Sequence, residues 1–261
     1  MTLLTSTGIA YDDEAGPDPT LVFLPGWCGP RTLAAPLQER LSGALRTLAL
    51  DWRGHGESKP ADVDFGSAEL VEDALAVIDH SGAERVVPVA ISHDGWVAIE
   101  VRRRLGPARV PRLVFIDWMV LGAPPPFLDA LAAMATPTTT RDTVGQLVAM
   151  WQADLDLPPL TAYVAEMASY PDDMWARAAR EITASFEQFG SPLEAVAALD
   201  PPPKTLHLYA QPDDPGYLEG QRGFAASHSW FDVEHLDAAS HFPMFEAADT
   251  MAHHIAEFAR S

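Results

Sequence analysis

The chain has 261 residues, 48% of them hydrophobic, and a formal net charge of -20 at pH 7. Length and apolar content together exclude a disordered chain and suffice for one large α/β domain, or a core with an inserted cap. The negative charge argues against nucleic acids and anionic membranes as partners, because both would repel the protein.

Cysteine content and hydropathy indicate where the chain acts. Cys28 is the only cysteine, so no internal disulfide can form, which favours a reducing compartment. No apolar run is long enough to span a membrane, and the first residues lack the basic and apolar regions of a signal peptide. We therefore expect a cytoplasmic protein without a membrane partner, and a monomer as the simplest assembly.

The chain up to residue 116 alternates between short apolar strands and helical patterns. Strands are predicted at Thr20–Leu24 and Thr47–Leu50, with a helix over residues 33–45 between them because leucines recur on one face. A helix at residues 68–80 leads to an apolar strand at 86–89, and another strand is predicted at Arg112–Ile116. This order predicts a mostly parallel, doubly wound α/β sheet.

From residue 123 the pattern becomes helical, with predicted helices at 127–134, 143–154, 160–167 and 174–189. We predict a helical cap at residues 123–190 over an α/β core made of residues 1–122 and 191–261. The cap aromatics Trp151, Tyr170 and Trp175 either wall an apolar pocket or belong to the packing of the cap itself. Strands are predicted again at 205–210 and 230–234, followed by a closing helix at 247–260.

The apolar strand at 86–89 leads to Ser92, and a helical pattern follows at once, which predicts a sharp turn with Ser92 at its tip. The usual pattern for such a turn is G-x-S-x-G, and this chain has Ala90 and Asp94 at the glycine positions. Asp94 is the larger departure, because helix and strand must approach closely there. Asp94 could itself be the tip, but the strand length favours Ser92. An ordinary turn with a capping serine is the remaining alternative.

A histidine and an acid would complete a catalytic set. His241 follows the last predicted strand, where the chain order serine, acid, histidine places an imidazole over the turn. Asp117 ends the strand before the cap, whereas Asp213 and Asp214 follow the next strand and are either the acid or only turn formers. Four other histidines, His80, His207, His228 and His235, are interpreted as surface or strand-edge residues.

The loop after the first apolar strand is a candidate ligand-binding loop, because ligands meet α/β sheets at the carboxyl ends of strands. Gly26 lets a bound group come close to the backbone, so the Trp27 amide is a candidate oxyanion donor. His253 and His254 are adjacent on one helix and cannot form a metal pair. No metal or nucleotide motif is present, so the sequence predicts no cofactor.

Five segments together resemble the cofactor-independent 3-hydroxy-4-oxoquinoline/quinaldine 2,4-dioxygenases, which have the α/β-hydrolase fold. The segments are FLPGWC at 23–28, WRGHG at 52–56, SHxGWV at 92–97, DW at 117–118 and HFP at 241–243. The resemblance covers nearly the whole chain from about residue 20. It implies cleavage of a heteroaromatic ring with O2, release of carbon monoxide and an N-acylanthranilate, and no metal or organic cofactor. Some family members act on 2-alkyl-3-hydroxy-4-quinolones, including the Pseudomonas quinolone signal.

The residues suit that chemistry, since a 3-hydroxy-4-quinolone needs only a base to become an electron-rich anion that can reduce O2. His241 with Asp117 would be the general base. Ser92 would then hydrogen-bond the substrate and not act as a nucleophile. The other groups expected to contact the substrate or its oxyanion are the backbone amides of Trp27 and His93 and, by resemblance, the Trp151 side chain.

Two departures from the family and two alternative functions follow from the same residues. Family members can carry a histidine where this chain has Gly29 and a glycine where it has Asp94. We expect the Asp94 carboxylate to point away from the pocket, at the helix N-terminus, where negative charge is favoured.

The first alternative function is a serine esterase with Ser92 as nucleophile, and the second is a non-catalytic binding protein of the same fold.

Overall fold

Strands whose residues are apolar in succession lie at the centre of the molecule, because helices cover both of their faces. The computed structural model describes residues 2–261. Its strands are β1 (Thr2–Leu4), β2 (Ala10–Glu14), β3 (Thr20–Leu24), β4 (Thr47–Leu50), β5 (Val86–Ile91), β6 (Arg112–Ile116), β7 (Lys204–Tyr209) and β8 (Phe231–His235). Every residue of β3, β4 and β5 is buried.

The eight strands form one sheet in the order β1-β2-β4-β3-β5-β6-β7-β8. From β4 to β8 all neighbouring strands are parallel, and only β1 and β2 join antiparallel. Because the strands are parallel, β3, β5, β6 and β7 all end at the same edge of the sheet. The loops that follow these strands therefore meet there, which is where the candidate site is built.

Ten α-helices accompany the sheet. They are α1 (Ala35–Leu41), α2 (Ser67–Ser81), α3 (Gly95–Arg109), α4 (Pro125–Met134), α5 (Thr140–Gln152), α6 (Pro158–Ser169), α7 (Asp172–Phe189), α8 (Pro192–Ala197), α9 (Pro215–Ser227) and α10 (Ala248–Arg260). No helix in the described part of the chain is both long and apolar enough to cross a bilayer.

The helices α4 to α7, here called the cap helices, lie between β6 and β7 in the chain and pack on one another. Proline at the first turn of α4 and α6 suits the helix start, because the missing N–H would have no partner there. The division into a cap at residues 123–190 and a core stays a prediction.

The predicted doubly wound, mostly parallel sheet is confirmed, and most predicted elements agree with the structure to within a few residues. The helix predicted over 33–45 is wrong in extent: a 3-10 turn, Arg31–Ala34, precedes α1, which ends before Gly43 in the left-handed region (φ 71°). The strands β1 and β2 and the helices α8 and α9 were not predicted. Acidic residues in β2 and two internal glycines in α9 weaken the patterns that would have indicated them.

Candidate active site

The turn after β5 places Ser92 at the edge of the sheet. Ser92 adopts a left-handed backbone conformation (φ 53°) between β5 and the 3-10 turn Ser92–Asp94, here called the serine turn. The helix α3 begins at Gly95, where an added Cβ would lie 2.1 Å from the Trp118 ring. The close approach thus occurs at Gly95, one residue later than the usual pattern has it, which explains why Asp94 is tolerated.

An acid and a base meet beside this turn. His241 Nδ1 lies 2.8 Å from Asp117 Oδ2. Asp117 Oδ1 accepts hydrogen bonds from the backbone N–H groups of Ala210 (2.7 Å) and Gln211 (2.8 Å), at the end of β7. A carboxylate only accepts hydrogen bonds, so Nδ1 of His241 carries a proton and Nε2 keeps its lone pair. This arrangement makes His241 a competent general base.

The cap helices hold His241 from the other side. The Trp151 carbonyl oxygen accepts a hydrogen bond from the His241 backbone N–H at 2.8 Å. The Trp151 ring stacks on the imidazole, with 5.3 Å between ring centroids and 26° between planes. The His241 side chain therefore lies between the Asp117 carboxylate and the end of α5, in contact with both.

Ser92 takes no part in that hydrogen-bonded pair. Within residues 2–261 its hydroxyl makes no hydrogen bond, either to His241 or to any other group. A serine nucleophile is activated by a hydrogen bond to its base, although this bond can be loose without substrate. Ser92 and His241 nevertheless line the same cavity, so one substrate can contact both.

His93 contributes a neutral side chain. Its Nδ1 accepts a hydrogen bond from Trp118 Nε1 at 3.1 Å, which leaves the proton of the neutral ring on Nε2. The ring stacks on Phe127 with centroids 5.2 Å apart. Burial, with a smaller contribution from His241, lowers the pKa of His93 to about 3, so the ring remains neutral at physiological pH.

The loop of residues 25–29 after β3, here called the oxyanion loop, carries the Trp27 amide. Gly26 and Cys28 are both left-handed (φ 86° and 57°), a shape that turns the backbone sharply. The Trp27 N–H donates to no group within residues 2–261. The His93 N–H lies at the start of the serine turn and α3, where helical N–H groups lack partners in the helix. Both residues border one cavity.

Two adjacent spaces adjoin these groups. A narrow inner cavity lies under the cap helices, and a larger and more open outer cleft lies beside it. The inner wall is mainly apolar and includes Leu131, Met134, Leu147, Met167, Trp175 and Ile182. Ser92, His93, Phe127, Trp151 and His241 border both spaces. The polar groups thus lie where the mainly apolar inner cavity meets the more open outer cleft.

The chain was compared with proteins of known family and activity. Residues 21–254 match the model of the alpha/beta hydrolase family. A 2-heptyl-3-hydroxy-4-quinolone dioxygenase, AqdC1 of Rhodococcus erythropolis, is 36% identical over 93% of this chain and 87% of its own length. The 1H-3-hydroxy-4-oxoquinoline 2,4-dioxygenase of Pseudomonas putida is 35% identical over 98% of this chain and 97% of its own.

A solved structure agrees with these relatives. An AqdC variant in complex with its substrate, described as recognising and cleaving the Pseudomonas quinolone signal, superposes with a TM-score of 0.93. It is 31% identical, with 100% of this chain and 98% of that chain covered. The chain belongs to the 3-hydroxy-4-quinolone dioxygenases of the alpha/beta hydrolase family. The predicted family and α/β-hydrolase fold are thereby confirmed.

The structure of this quinolone dioxygenase brings the six predicted site residues together. Five of them border the inner cavity: Trp27, Ser92, His93, Trp151 and His241. The sixth, Asp117, borders the outer cleft and contacts His241. Their individual roles stay predictions. Among the described residues no group of three or more histidine, cysteine or acidic side chains could hold a metal ion.

The alternative acids lie elsewhere. The Asp213 side chain is 86% exposed, and its Oδ1 lies 3.7 Å from His235 Nε2. Asp214 caps α9 by accepting hydrogen bonds from the backbone N–H groups of Gly216 (2.6 Å) and Tyr217 (3.3 Å). Asp214 is thus a turn and helix-start residue, as one of the two sequence interpretations had it.

His207 supports the backbone next to Asp117, a role that the sequence did not indicate. The interpretation of it as a surface or strand-edge histidine is wrong, because β7 lies between β6 and β8 and the ring is fully buried. Its Nε2 accepts a hydrogen bond from the Trp118 N–H (3.2 Å), and Nδ1 pairs with Gln221 Oε1 (2.6 Å). His207 thereby fixes the peptide next to Asp117, which is left-handed (φ 49°). A polar residue within an otherwise apolar strand was the sequence signal that could have indicated a buried, hydrogen-bonded histidine.

Asp94 lines neither space and is the N-cap residue of α3, at the helix N-terminus as expected. Its side chain, however, makes no cap hydrogen bond to an N–H of α3. Instead Oδ2 accepts hydrogen bonds from the Gly26 N–H and from Trp52 Nε1, both at 2.7 Å. At Gly29 an added Cβ would lie 2.6 Å from the Tyr163 hydroxyl, so Tyr163 fills the space of a side chain there.

Proposed function

We propose that this chain cleaves 2-alkyl-3-hydroxy-4(1H)-quinolones with O2, releasing carbon monoxide and an N-acylanthranilate. The observation that carries the proposal is the His241–Asp117 pair, which holds a base at an apolar cavity while Ser92 stays outside the hydrogen bond. The names of the relatives, which include 2-heptyl-3-hydroxy-4-quinolone dioxygenases, support the same substrate class.

In the proposed reaction, Nε2 of His241 removes the proton of the 3-hydroxyl group. Asp117 stabilises the imidazolium that results, as the acid of a catalytic triad does. The backbone N–H groups of Trp27 and His93 stabilise the negative charge on the substrate oxygen. Ser92 donates or accepts one hydrogen bond to the substrate. The apolar wall keeps water from solvating the anion, which strengthens these interactions.

The atoms of the reaction balance without a further reactant. The substrate anion gives electrons to O2, and new C–O bonds form at C2 and C4 of the ring. The C2–C3 and C3–C4 bonds break, so C3 leaves with its own oxygen as carbon monoxide. Both O2 atoms remain in the organic product, one in the acyl group and one in the carboxylate. The protein has to move a single proton and hold a single negative charge.

The test compares wild type, Ser92→Ala and His241→Ala with 2-heptyl- and 2-methyl-3-hydroxy-4-quinolone, with and without O2. We expect O2-dependent release of carbon monoxide by the wild type. Ser92→Ala loses one neutral hydrogen bond, so its kcat/KM should fall by about tenfold or less. His241→Ala removes the base and should lose nearly all turnover.

Other outcomes identify the alternatives. In a serine esterase, removal of the nucleophile costs on the order of 10⁶-fold in kcat, and hydrolysis of an ester would not need O2. A binding protein would bind the quinolone without turning it over. Absence of O2-dependent carbon monoxide release by the wild type with both compounds would refute the proposal.

We propose further that the chain acts as a cytoplasmic monomer. Cys28, the single cysteine of the sequence, is fully buried and free, which suits a reducing compartment. Sedimentation at micromolar and at higher concentrations measures the assembly directly, and a mass of two chains would contradict the monomer.

A further inference from the structure

Asp94 is a buried acidic residue that the proposed reaction does not use. The residue is completely buried, and Oδ1 has no hydrogen-bond partner within residues 2–261. A carboxylate in such a place is costly unless it does something for the fold or the site. The two hydrogen bonds that it does accept, from Gly26 and Trp52, both go to Oδ2.

The position of these contacts links the two predicted oxyanion donors. Gly26 directly precedes Trp27 on the oxyanion loop, and Asp94 directly follows His93 on the serine turn. The 2.7 Å hydrogen bond from the Gly26 N–H to the Asp94 side chain therefore joins the two residues next to the donors, across 68 residues of sequence. An oxyanion site requires both N–H groups to face one point, so the separation of these loops determines its geometry.

Trp52 holds the other side of the carboxylate. Its ring is fully buried, and its Nε1–H donates to Asp94 at 2.7 Å. Asp94 thus joins three segments: the loop after β3, the loop after β4 and the turn after β5. Because Asp94 borders neither the inner cavity nor the outer cleft, it acts on the substrate only through those segments and through its charge.

We propose that Asp94 is a positioning residue that fixes the two oxyanion donors relative to each other, and whose ionisation weakens binding of the substrate anion. The inference rests on the proposed function, since it concerns the same oxyanion site. A negative charge hydrogen-bonded to the residue before Trp27 repels a negative charge bound at the two donors, whereas the protonated acid keeps the hydrogen bonds without that repulsion.

Asp94 is the group near the oxyanion loop that changes charge near neutral pH. Burial, opposed by the hydrogen bonds from Gly26 and Trp52, raises the pKa of Asp94 to about 7. The titratable and charged groups of the surrounding elements are Cys28, His55, His93, Tyr163 and, on α7, Arg177.

None of the uncharged neighbours titrates in the same range. Burial lowers the pKa of His55 to about 4, and burial with His241 lowers that of His93 to about 3. Burial raises the pKa of Cys28 and of Tyr163 well above their ordinary values. All four therefore stay neutral between about pH 6 and 8.5.

Two substitutions separate positioning from charge. Asp94→Asn keeps an oxygen that accepts from Gly26 and Trp52 but cannot ionise. Asp94→Ala removes the acceptor and leaves both N–H groups without a partner. Asp73→Asn is the matched control, because Asp73 is equally buried but pairs with Arg53 of the loop after β4 and accepts no hydrogen bond from the oxyanion loop or the serine turn.

The first measurement is the anaerobic dissociation constant of 2-methyl-3-hydroxy-4-quinolone from pH 6 to 8.5, followed by fluorescence. Both proteins contain the same His241 and bind the same substrate, so the ratio of the wild-type dissociation constant to that of Asp94→Asn isolates the effect of Asp94. We expect this ratio to be near one at pH 6 and to rise about fivefold by pH 8.5. The Asp73→Asn variant should follow the wild type throughout.

The second measurement is aerobic kcat at pH 6.5. We expect Asp94→Asn to stay within about threefold of wild type and Asp94→Ala to lose about tenfold or more, since misplaced donors act mainly in the transition state. If the wild type fails to release carbon monoxide, the proposed function fails. If the wild type is active but both Asp94 variants keep its kcat and its pH dependence of binding, this inference alone is overturned.

Discussion

Replacement of Asp117 by asparagine should disable the base without removing it. The asparagine amide offers one oxygen where the carboxylate offered two. If that oxygen keeps the N–H groups of Ala210 and Gln211, which lie 2.7 and 2.8 Å from Oδ1, the NH2 group faces His241. Two hydrogen bonds outweigh one, so we expect this orientation.

The NH2 group then forces His241 Nδ1 to become an acceptor, and the proton moves to Nε2, where the substrate proton should go. The variant also loses a charge-assisted hydrogen bond at 2.8 Å, which is worth about 1.5–3 kcal/mol. That range corresponds to a loss of about 10- to 150-fold in kcat, and the wrong tautomer can only add to it.

The assay is O2 consumption with 2-methyl-3-hydroxy-4-quinolone, reported as kcat and KM. Asp213→Asn is the matched control, because it makes the same change at the exposed aspartate after β7. It should leave kcat within about twofold of wild type, as surface substitutions usually do. An Asp117→Asn enzyme with more than about a third of wild-type kcat would contradict the assignment of Asp117 as the partner of the base.

Two further predictions concern stability. Gly95→Ala should destabilise the fold by about 2 kcal/mol or more, because the new methyl group would lie 2.1 Å from the Trp118 ring. Gly145→Ala is the control, because its methyl group has open space on α5, and it should be neutral or slightly stabilising. Urea unfolding measures both variants. The free energy of unfolding should also fall as the pH drops below about 6.5. Three buried neutral histidines have lowered pKa values in the fold but ordinary pKa values in the unfolded chain. The unfolded chain therefore binds more protons than the fold in this pH range, which favours unfolding. These histidines are His55 (about 4), His93 (about 3) and His207 (about 4). The loss continues down to about pH 4, and equilibrium unfolding at pH 7, 6 and 5 measures it; an unchanged stability across that range would refute the burial argument.

The sequence sufficed to predict the groups that stand at strand ends. Ser92 and Asp117 follow directly from the strands β5 and β6, and parallel strands bring their carboxyl ends to one edge. His241 could be placed because it follows the last strand. The choice among Asp117, Asp213 and Asp214 could not be made from the pattern, since it depends on which side chain faces the imidazole.

Contacts between distant loops could not be predicted. The partners of Asp94, Gly26 and Trp52, are 68 and 42 residues away, and no periodicity connects them. For the same reason the hydrogen bond from His241 to the Trp151 carbonyl was not predicted, although both side chains were. The family resemblance named the residues, while the packing determines what each one touches.

The place of the acid has a consequence for the entrance of the site. Asp117 follows β6, so the segment after β7 contributes only the N–H groups of Ala210 and Gln211 to the His241–Asp117 pair. Beyond Gln211 this segment borders the outer cleft through Pro212 and Asp213. The rim of the entrance can therefore be lengthened, shortened or exchanged at residues 212–213 without disturbing proton abstraction. Natural variants or engineered libraries confined to that short segment should change which quinolone side chains enter while the chemistry continues unchanged.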